Sequence, residues 1–189
     1  MIEELVQYDI ELFLFLNNLG SETWDTLWLV ITSKFTFIPL YVLLLFLLYK
    51  KYGAKSMLIF VLVVACMITF TDQITNVFKR GFERMRPCGE PGVMEHMRMV
   101  TSYCGKYGFF SGHASNSMAA GVFAGLMLRP YYKNLVFLLV FWSSVVAYSR
   151  IYVGKHYPLD IVCGMTFGAL SGFAFYKLAK YLLKKYIKD

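Results

Sequence analysis

Long apolar runs without a charged side chain are the feature that most limits what this chain can fold into. Five such runs follow one another along the 189 residues, and only His113 interrupts one of them. They cover 35–49, 56–71, 107–128, 134–149 and 161–176. Most are shorter than the ~20 residues that cross a bilayer, so buried helices of a water-soluble protein are the alternative. A chain that is 58% hydrophobic and 16% charged has too little polar surface to cover five such helices, and the runs therefore predict a membrane protein.

The runs and the breaks between them predict an all-α integral membrane protein, with residues 1–189 in a single domain. We predict a bundle of five transmembrane helices, with six as the alternative. The predicted helices cover 23–50, 54–84, 112–129, 131–152 and 157–186. Within the first 33 residues, residues 4–17 have a broad apolar helical face, and Trp24 and Trp28 lie just after it. We interpret this region as one or two helices lying in the membrane interface. The segment 85–111 is the one long loop, and loops of this length in a small bundle are typically functional or disordered.

Basic residues favour one orientation of the bundle. If 50–55 is cytoplasmic, the alternation of spans also places 129–133 and the tail 177–189 inside. Ten of the nineteen Lys and Arg residues then lie inside. They are Lys50, Lys51, Lys55, Arg129, Lys133, Lys177, Lys180, Lys184, Lys185 and Lys188. Cys88 and Cys104 belong to the opposite, outer side, where an oxidising compartment would allow a disulfide between them; two unpaired thiols are the alternative.

Polar residues from three distant parts of the sequence are expected at one membrane level. Residues 79–86 end the second predicted span, residues 111–113 begin the third, and residues 150–160 surround the last outer turn. Ionisable groups at membrane depth are energetically costly and usually mark a site. The coincidence therefore predicts one functional site on the outer face of the bundle.

Two histidines stand out among these residues. His156 and Asp160 are four residues apart, so on a helix the carboxylate can accept the Nδ1 proton and leave Nε2 free as a nucleophile or base. The alternative is an acidic residue favoured by the helix dipole, with a histidine nearby by chance. His113 follows Ser111 and Gly112 at the expected start of a helix, where free N–H groups bind anions. Ser111 as a simple N-cap is the alternative.

Small residues recur at a spacing of four after both histidines. The positions are Ser117, Gly121, Gly125, Gly164, Gly168 and Gly172. Such stripes let membrane helices pack backbone to backbone. We therefore expect helices 112–129 and 157–186 to touch and to bring the two histidines opposite each other; packing of the glycines against other neighbours is the alternative.

Three cations, Lys79, Arg86 and Arg150, are expected at the level of the histidines, with Arg80, Arg84 and Lys155 nearby. An interfacial belt that contacts lipid phosphates is the alternative. Guanidinium groups match phosphate oxygens bidentately, and each charge-assisted hydrogen bond contributes about 1.5–3 kcal/mol. The sequence has no HExxH motif, P-loop or carboxylate cluster for a divalent ion. The residues thus predict a phosphoryl site that needs neither a metal nor another cofactor.

These residues resemble the motifs of the type 2 phosphatidic acid phosphatase (PAP2) superfamily. That family shows Lys-x6-Arg-Pro, then Pro-Ser-Gly-His, then Ser-Arg-x5-His-x3-Asp. Residues 79–87 match the first motif, and residues 149–160 match the third completely. Residues 110–113 match the second except that Phe110 replaces the proline. This departure changes the entry to the phosphate loop and removes no reacting group.

The resemblance implies a phosphohistidine mechanism. His156 would attack phosphorus, Asp160 would orient it, and His113 would protonate the leaving oxygen and then activate water. Five further residues would hold the phosphoryl oxygens and stabilise the transition state. They are Lys79, Arg86, Ser111, Gly112 and Arg150.

The resemblance also implies a lipid phosphate substrate among membrane lipids, and no nucleic-acid partner. Among family members the chain is most similar in kind to bacterial undecaprenyl pyrophosphate phosphatases, which recycle the cell-wall carrier. Lipid A phosphatases and phosphatidylglycerophosphate or phosphatidate phosphatases share the motifs and are the alternatives. A vanadium-dependent haloperoxidase is disfavoured because those enzymes are large and soluble, and an inactive lipid-binding member because every reacting residue is present. We expect a multi-pass protein of the bacterial inner membrane whose site faces the periplasm.

Overall fold

Helices account for most of the chain in a computed structural model that describes residues 2–187. Within that range the helices are α1 (Ile2–Asn18), α2 (Glu22–Thr32), α3 (Ile38–Tyr52), α4 (Ala54–Phe82), α5 (Gly112–Leu128), α6 (Leu135–Tyr152) and α7 (Pro158–Tyr186). No β-strand occurs among these residues, and the all-α prediction is confirmed. Lys188, which was counted with the inner basic residues, lies outside the described range.

Helix α5 is the centre of the bundle, and α7 packs closely against it. A Cβ atom on Gly168 would lie 2.3 Å from the carbonyl oxygen of Ser115, so only glycine permits this approach. Gly164 and Gly172 meet α5 in the same way, which confirms the predicted contact between the two helices. The α5 glycines face α6 instead: a Cβ on Gly125 would lie 2.6 Å from the Cα of Val136.

Three helices are long and apolar enough to cross a membrane, namely α4, α6 and α7. Helices α3 and α5 are shorter, at 15 and 17 residues. Large apolar side chains such as Leu58, Leu62, Phe137 and Phe141 are exposed on the outside of the bundle, where only lipid would cover them. The chain is therefore a membrane-embedded helical protein.

The predicted helix 23–50 is wrong, because residues 33–37 divide it into α2 and α3. Thr36 donates a hydrogen bond to the carbonyl oxygen of Val30, and Pro39 stands in the first turn of α3, where its missing N–H does no harm. The break turns the chain so that residues 31–34 line the cavity described below. Helix α6 likewise begins at Leu135 rather than at 131, since turns continue past Pro130.

The long loop between α4 and α5 is ordered around one cross-link. A disulfide joins Cys88 to Cys104, whose Cα atoms are 5.9 Å apart. Met85 and Tyr107 form an isolated antiparallel bridge, and the N–H of Gly108 donates to the carbonyl oxygen of Arg84. These contacts fold the second half of the loop back over the end of α4.

Candidate active site

A cavity of about 670 Å³ opens where the C-terminal ends of α4 and α6 meet the N-terminal end of α5. Six of the eight residues predicted for the site line it: Lys79, Arg86, Gly112, His113, Arg150 and His156. The other two, Ser111 and Asp160, are fully buried behind the lining. The three sequence regions therefore meet at one cavity, as was predicted from their expected position at one level of the membrane.

His156 lies in the short connection between α6 and α7 and is almost fully buried. Its Nδ1 atom is 3.3 Å from Oδ2 of Asp160, which also accepts a hydrogen bond from the N–H of Tyr157. Burial, followed by the cations of Arg86 and Arg150, holds the pKa of the His156 imidazole well below its usual range. The ring is therefore neutral at pH 7, and Nε2 carries a lone pair.

The start of α5 places His113 on the same cavity. The Ser111 hydroxyl accepts a hydrogen bond from the N–H of Ala114, which makes Ser111 the N-cap of the helix. The N–H of Ser111 donates to the carbonyl oxygen of Asp160 over 3.0 Å. Ser111 is therefore engaged in joining the two helix starts, and its hydroxyl and N–H do not line the cavity as predicted.

The cations of the cavity keep donors without protein partners. Arg150 is 5% exposed, its Nη1 contacts the hydroxyl of Thr32, and its buried Nε has no hydrogen-bond partner among the described residues. Arg86 uses its Nε to donate to the carbonyl oxygen of Tyr107. An unpaired buried donor is costly, so an anion in the cavity would satisfy a need that the protein leaves open.

Sequence reasoning missed several residues of the site. Thr32 and Lys34 reach the cavity only because the chain breaks after α2. Asp72 and Asn116 line it from α4 and α5, and Nδ2 of Asn116 donates to Oδ1 of Asp72 over 2.7 Å. Asp72 stands two helical turns before Lys79, and this spacing is the signal that could have indicated it.

Gly108 was also missed, and it allows the loop to cross close to His156 and Asp160. A Cβ at this position would lie 3.1 Å from Oδ2 of Asp160 and 3.7 Å from Nδ1 of His156. Any side chain here would press on the contact between that carboxylate and the imidazole. The loop therefore passes over His156 and Asp160 at a position that has no side chain.

A neutral imidazole backed by a carboxylate, a second imidazole and several cations make a site for phosphoryl transfer. The cations can neutralise the phosphoryl oxygens while one histidine attacks and the other exchanges protons. Among residues 2–187, no group of three or more His, Cys, Asp or Glu side chains is arranged to hold a metal ion.

Comparisons with known proteins agree with this chemistry. The family model described as the PAP2 superfamily matches residues 57–184. A lipid A 4'-phosphatase of Bacteroides thetaiotaomicron is 33% identical over 100% of this chain and 84% of its own length. A lipid A 4'-phosphatase of Porphyromonas gingivalis is 32% identical over 98% of this chain and 79% of its own.

A solved structure shares the fold. It is a transmembrane PAP2-type phosphatidylglycerolphosphate phosphatase from Bacillus subtilis, with a TM-score of 0.71 and 19% identity over 98% of this chain and 88% of that one. An undecaprenyl-diphosphatase of Sulfolobus acidocaldarius is more distant in sequence, at 26% identity over 90% of this chain and 78% of its own. The predicted special similarity to undecaprenyl pyrophosphate phosphatases is therefore not confirmed.

Proposed function

Because the chain belongs to the PAP2 superfamily and is a membrane lipid phosphatase, we propose that it removes the 4'-phosphate of a lipid A-type glycolipid. The observation that carries this proposal is the similarity of the whole chain to two lipid A 4'-phosphatases. It revises our first preference, undecaprenyl pyrophosphate, which the motifs alone could not distinguish from other lipid phosphates.

In the proposed reaction, Nε2 of His156 attacks phosphorus and the bond from phosphorus to the ester oxygen breaks. His113, whose protonated form the bound phosphate would favour, donates a proton to the leaving oxygen, which departs as the sugar hydroxyl and leaves the His113 ring neutral. In the second step His113 takes a proton from water, whose oxygen displaces His156 and yields inorganic phosphate. Asp160 orients the His156 ring through Nδ1 in both steps.

The cations of the cavity would stabilise the negative charge on the phosphoryl oxygens during these steps. Lys79, Arg86 and Arg150 all line the cavity beside His156, and Gly112 brings the first N–H groups of α5 close to it. Donors fixed in place before reaction cost little reorganisation in the transition state. We assign the unpaired Nε of Arg150 to an equatorial phosphoryl oxygen.

Undecaprenyl pyrophosphate remains the second candidate, because undecaprenyl-diphosphatases also match this chain. The carboxylate of Asp72 on the cavity wall favours the glycolipid. A carboxylate repels a second phosphate but accepts hydrogen bonds from the hydroxyl and amide groups of a sugar.

A substrate panel tests the proposal. Purified protein in detergent is given lipid A, undecaprenyl pyrophosphate, phosphatidylglycerophosphate or phosphatidate, and released phosphate is measured. We expect the highest kcat/KM with lipid A and mass-spectrometric loss of the 4'-phosphate. His156→Ala should abolish turnover, whereas His96→Ala, in the exposed part of the loop, should retain it. A higher kcat/KM for undecaprenyl pyrophosphate would replace the first candidate by the second.

We further propose that the site faces the periplasm of a bacterial inner membrane. The disulfide between Cys88 and Cys104 supports this side because disulfides persist in oxidising compartments. Alkaline phosphatase fused after Pro91, which is exposed in the same loop, should be active in cells. A fusion after Gly53, in the opposite turn between α3 and α4, should be inactive, and the reverse result would place the site in the cytoplasm.

A further inference from the structure

Helix α1 has a narrow buried face although most of its surface is exposed. The buried residues are Asp9, Phe13 and Asn17, spaced four apart. A carboxylate and an amide are rarely buried without partners, and here both bind the segment that carries His156. The face therefore has more specific contacts than an apolar anchor would need.

Asp9 joins the start of α7 to a cation at the end of α4. Its Oδ1 accepts a hydrogen bond from the N–H of Leu159 over 2.8 Å, in the first turn of α7. Its Oδ2 accepts from Nη2 of Arg84 over 2.6 Å. The residue is 4% exposed, so both bonds are shielded from competing water.

Arg84 continues the chain of contacts to the catalytic carboxylate. Its Nη1 donates to Oδ1 of Asp160 over 3.1 Å, and its guanidinium lies 4.2 Å from the centre of the Tyr157 ring. One planar cation thus bridges Asp9 and Asp160. Oδ1 of Asp160 is held by Arg84, and Oδ2 is left for the N–H of Tyr157 and for the imidazole of His156.

The opposite end of the catalytic connection is held by Asn17. Its Nδ2 donates to the carbonyl oxygens of Ile151 and Tyr152, which end α6. Its Oδ1 accepts from the N–H of Arg98 in the long loop over 2.7 Å. Between these two ends, Phe13 packs edge to face on Tyr157 with ring centres 5.4 Å apart.

We propose that α1 is a clamp on the catalytic connection, and that Asp9 and Arg84 are positioning residues that set the orientation of Asp160 and, through it, of His156. The inference rests on the proposed attack by His156. A buried carboxylate without its cation would be strongly disfavoured, so Arg84 also keeps Asp160 ionised and able to accept from Nδ1. Sub-ångström placement of a nucleophile matters because a small displacement can lower the rate 10²-fold.

The test compares Asp9→Asn, Arg84→Gln and the double variant with Glu11→Gln as the matched control. Glu11 is a carboxylate on the same helix as Asp9, but it is exposed and accepts a hydrogen bond from Gln7 of α1 over 2.9 Å. We expect kcat to respond only to the variants of Asp9 and Arg84. We expect kcat for lipid phosphate to fall about 10-fold in Asp9→Asn and about 10²-fold in Arg84→Gln. The double variant should be no worse than Arg84→Gln alone, because both changes interrupt one chain of contacts.

Two further measurements distinguish a loss of Asp160 orientation from a loss of folded protein. The inhibition constant of inorganic phosphate should stay within about twofold of wild type, because Lys79, Arg86 and Arg150 are unaltered. Guanidinium ions should restore activity to Arg84→Ala, whose side chain is partly accessible, whereas sodium at equal ionic strength should not. Glu11→Gln should keep the wild-type kcat.

The inference is overturned if Asp9→Asn and Arg84→Gln keep the wild-type kcat, or if they lose activity only in proportion to the loss of folded protein. His156→Ala distinguishes this failure from failure of the reaction scheme. Full activity in His156→Ala would refute the role of His156 as the nucleophile. An inactive His156→Ala variant together with a fully active Asp9→Asn variant would refute only the role of α1 as a clamp.

Discussion

The Nδ1 atom of His156 lies 3.3 Å from Oδ2 of Asp160 in the first turn of α7, and the N–H of Tyr157 donates to the same oxygen. The contact selects the tautomer with the proton on Nδ1 and leaves Nε2 with the lone pair that the proposed attack on phosphorus requires. Because Asp160 is fully buried, water does not compete for this role.

Replacing the carboxylate by an amide should therefore remove orientation without removing the nucleophile. We expect Asp160→Asn to lower kcat about 10²–10⁴-fold, as when an orienting aspartate is lost from a catalytic triad, with little change in the inhibition constant of phosphate. Steady-state kinetics with lipid phosphate measure both values. A variant within twofold of the wild-type kcat would show that Asp160 has no part in orienting the ring.

The protonation of His156 gives a second prediction. Its pKa is lowered chiefly by burial and then by the surrounding cations. Protonation would remove the lone pair, and a lowered pKa means that this happens only at pH well under the usual 6.5 of histidine. Protonation of the His156 ring should thus not limit formation of the phosphohistidine between pH 7.5 and pH 6. The charged groups facing the ring are Lys79, Arg86, Arg150, Lys155 and Asp160.

Histidine-selective NMR measures this directly, since the chain has only three histidines. The His156 signal, assigned by its loss in His156→Ala, should keep the shift of a neutral ring down to pH 6. A titration midpoint near 6.5 would contradict the lowered pKa.

The sequence predicted the parts of the site that depend on local spacing. His156 and Asp160 are four residues apart, with His156 just before α7 and Asp160 in its first turn. The α7 glycines at the same spacing indicated the close contact of α7 with α5. Asp9 could not be assigned a role, because its partner Leu159 is 150 residues away. Thr32 and Lys34 were missed because the apolar pattern of 23–50 hides the break at 33–37.

The role of Ser111 could not be predicted from the sequence for a different reason. Its position before Gly112 and His113 fits both an N-cap and a phosphate ligand, and the sequence left both open. The fold uses the hydroxyl for the cap and the N–H for the carbonyl oxygen of Asp160. That second contact depends on how α7 approaches α5, which residue spacing indicates only in outline.

The close approach of α7 to α5 predicts sensitivity to one methyl group. In Gly168→Ala the new Cβ would lie 2.3 Å from the carbonyl oxygen of Ser115, so the helices must separate. We expect a loss of about 1–3 kcal/mol in the free energy of unfolding, seen as a lower Tm in detergent. Gly81→Ala is the control, because nothing lies within 4 Å of its Cβ position. It should keep or raise the Tm, and equal Tm values for all three proteins would refute the packing argument.

The last prediction concerns the choice of substrate and starts from a second cavity. This cavity of about 350 Å³ is apolar, and it shares Tyr41 and Asn116 with the larger one. In a bound lipid, the group that links the phosphate to the apolar chains would lie at this junction. Here Nδ2 of Asn116 donates a hydrogen bond to Oδ1 of Asp72. Oδ2 of Asp72 accepts no hydrogen bond from the described residues. A sugar can donate to it, whereas the second phosphate of a pyrophosphate would be repelled.

Asp72→Asn should therefore raise kcat/KM for undecaprenyl pyrophosphate relative to lipid A by about 10-fold, which corresponds to about 1.4 kcal/mol of differential transition-state binding. The amide keeps the size of the side chain and removes only the charge that discriminates. Glu11→Gln, an exposed carboxylate of α1, should leave the ratio unchanged. The measurement is a competition assay in mixed micelles that contain both lipids, with each product quantified by mass spectrometry. An unchanged ratio in Asp72→Asn would show that selectivity arises elsewhere, and the shared junction would then have no role in rejecting a second phosphate.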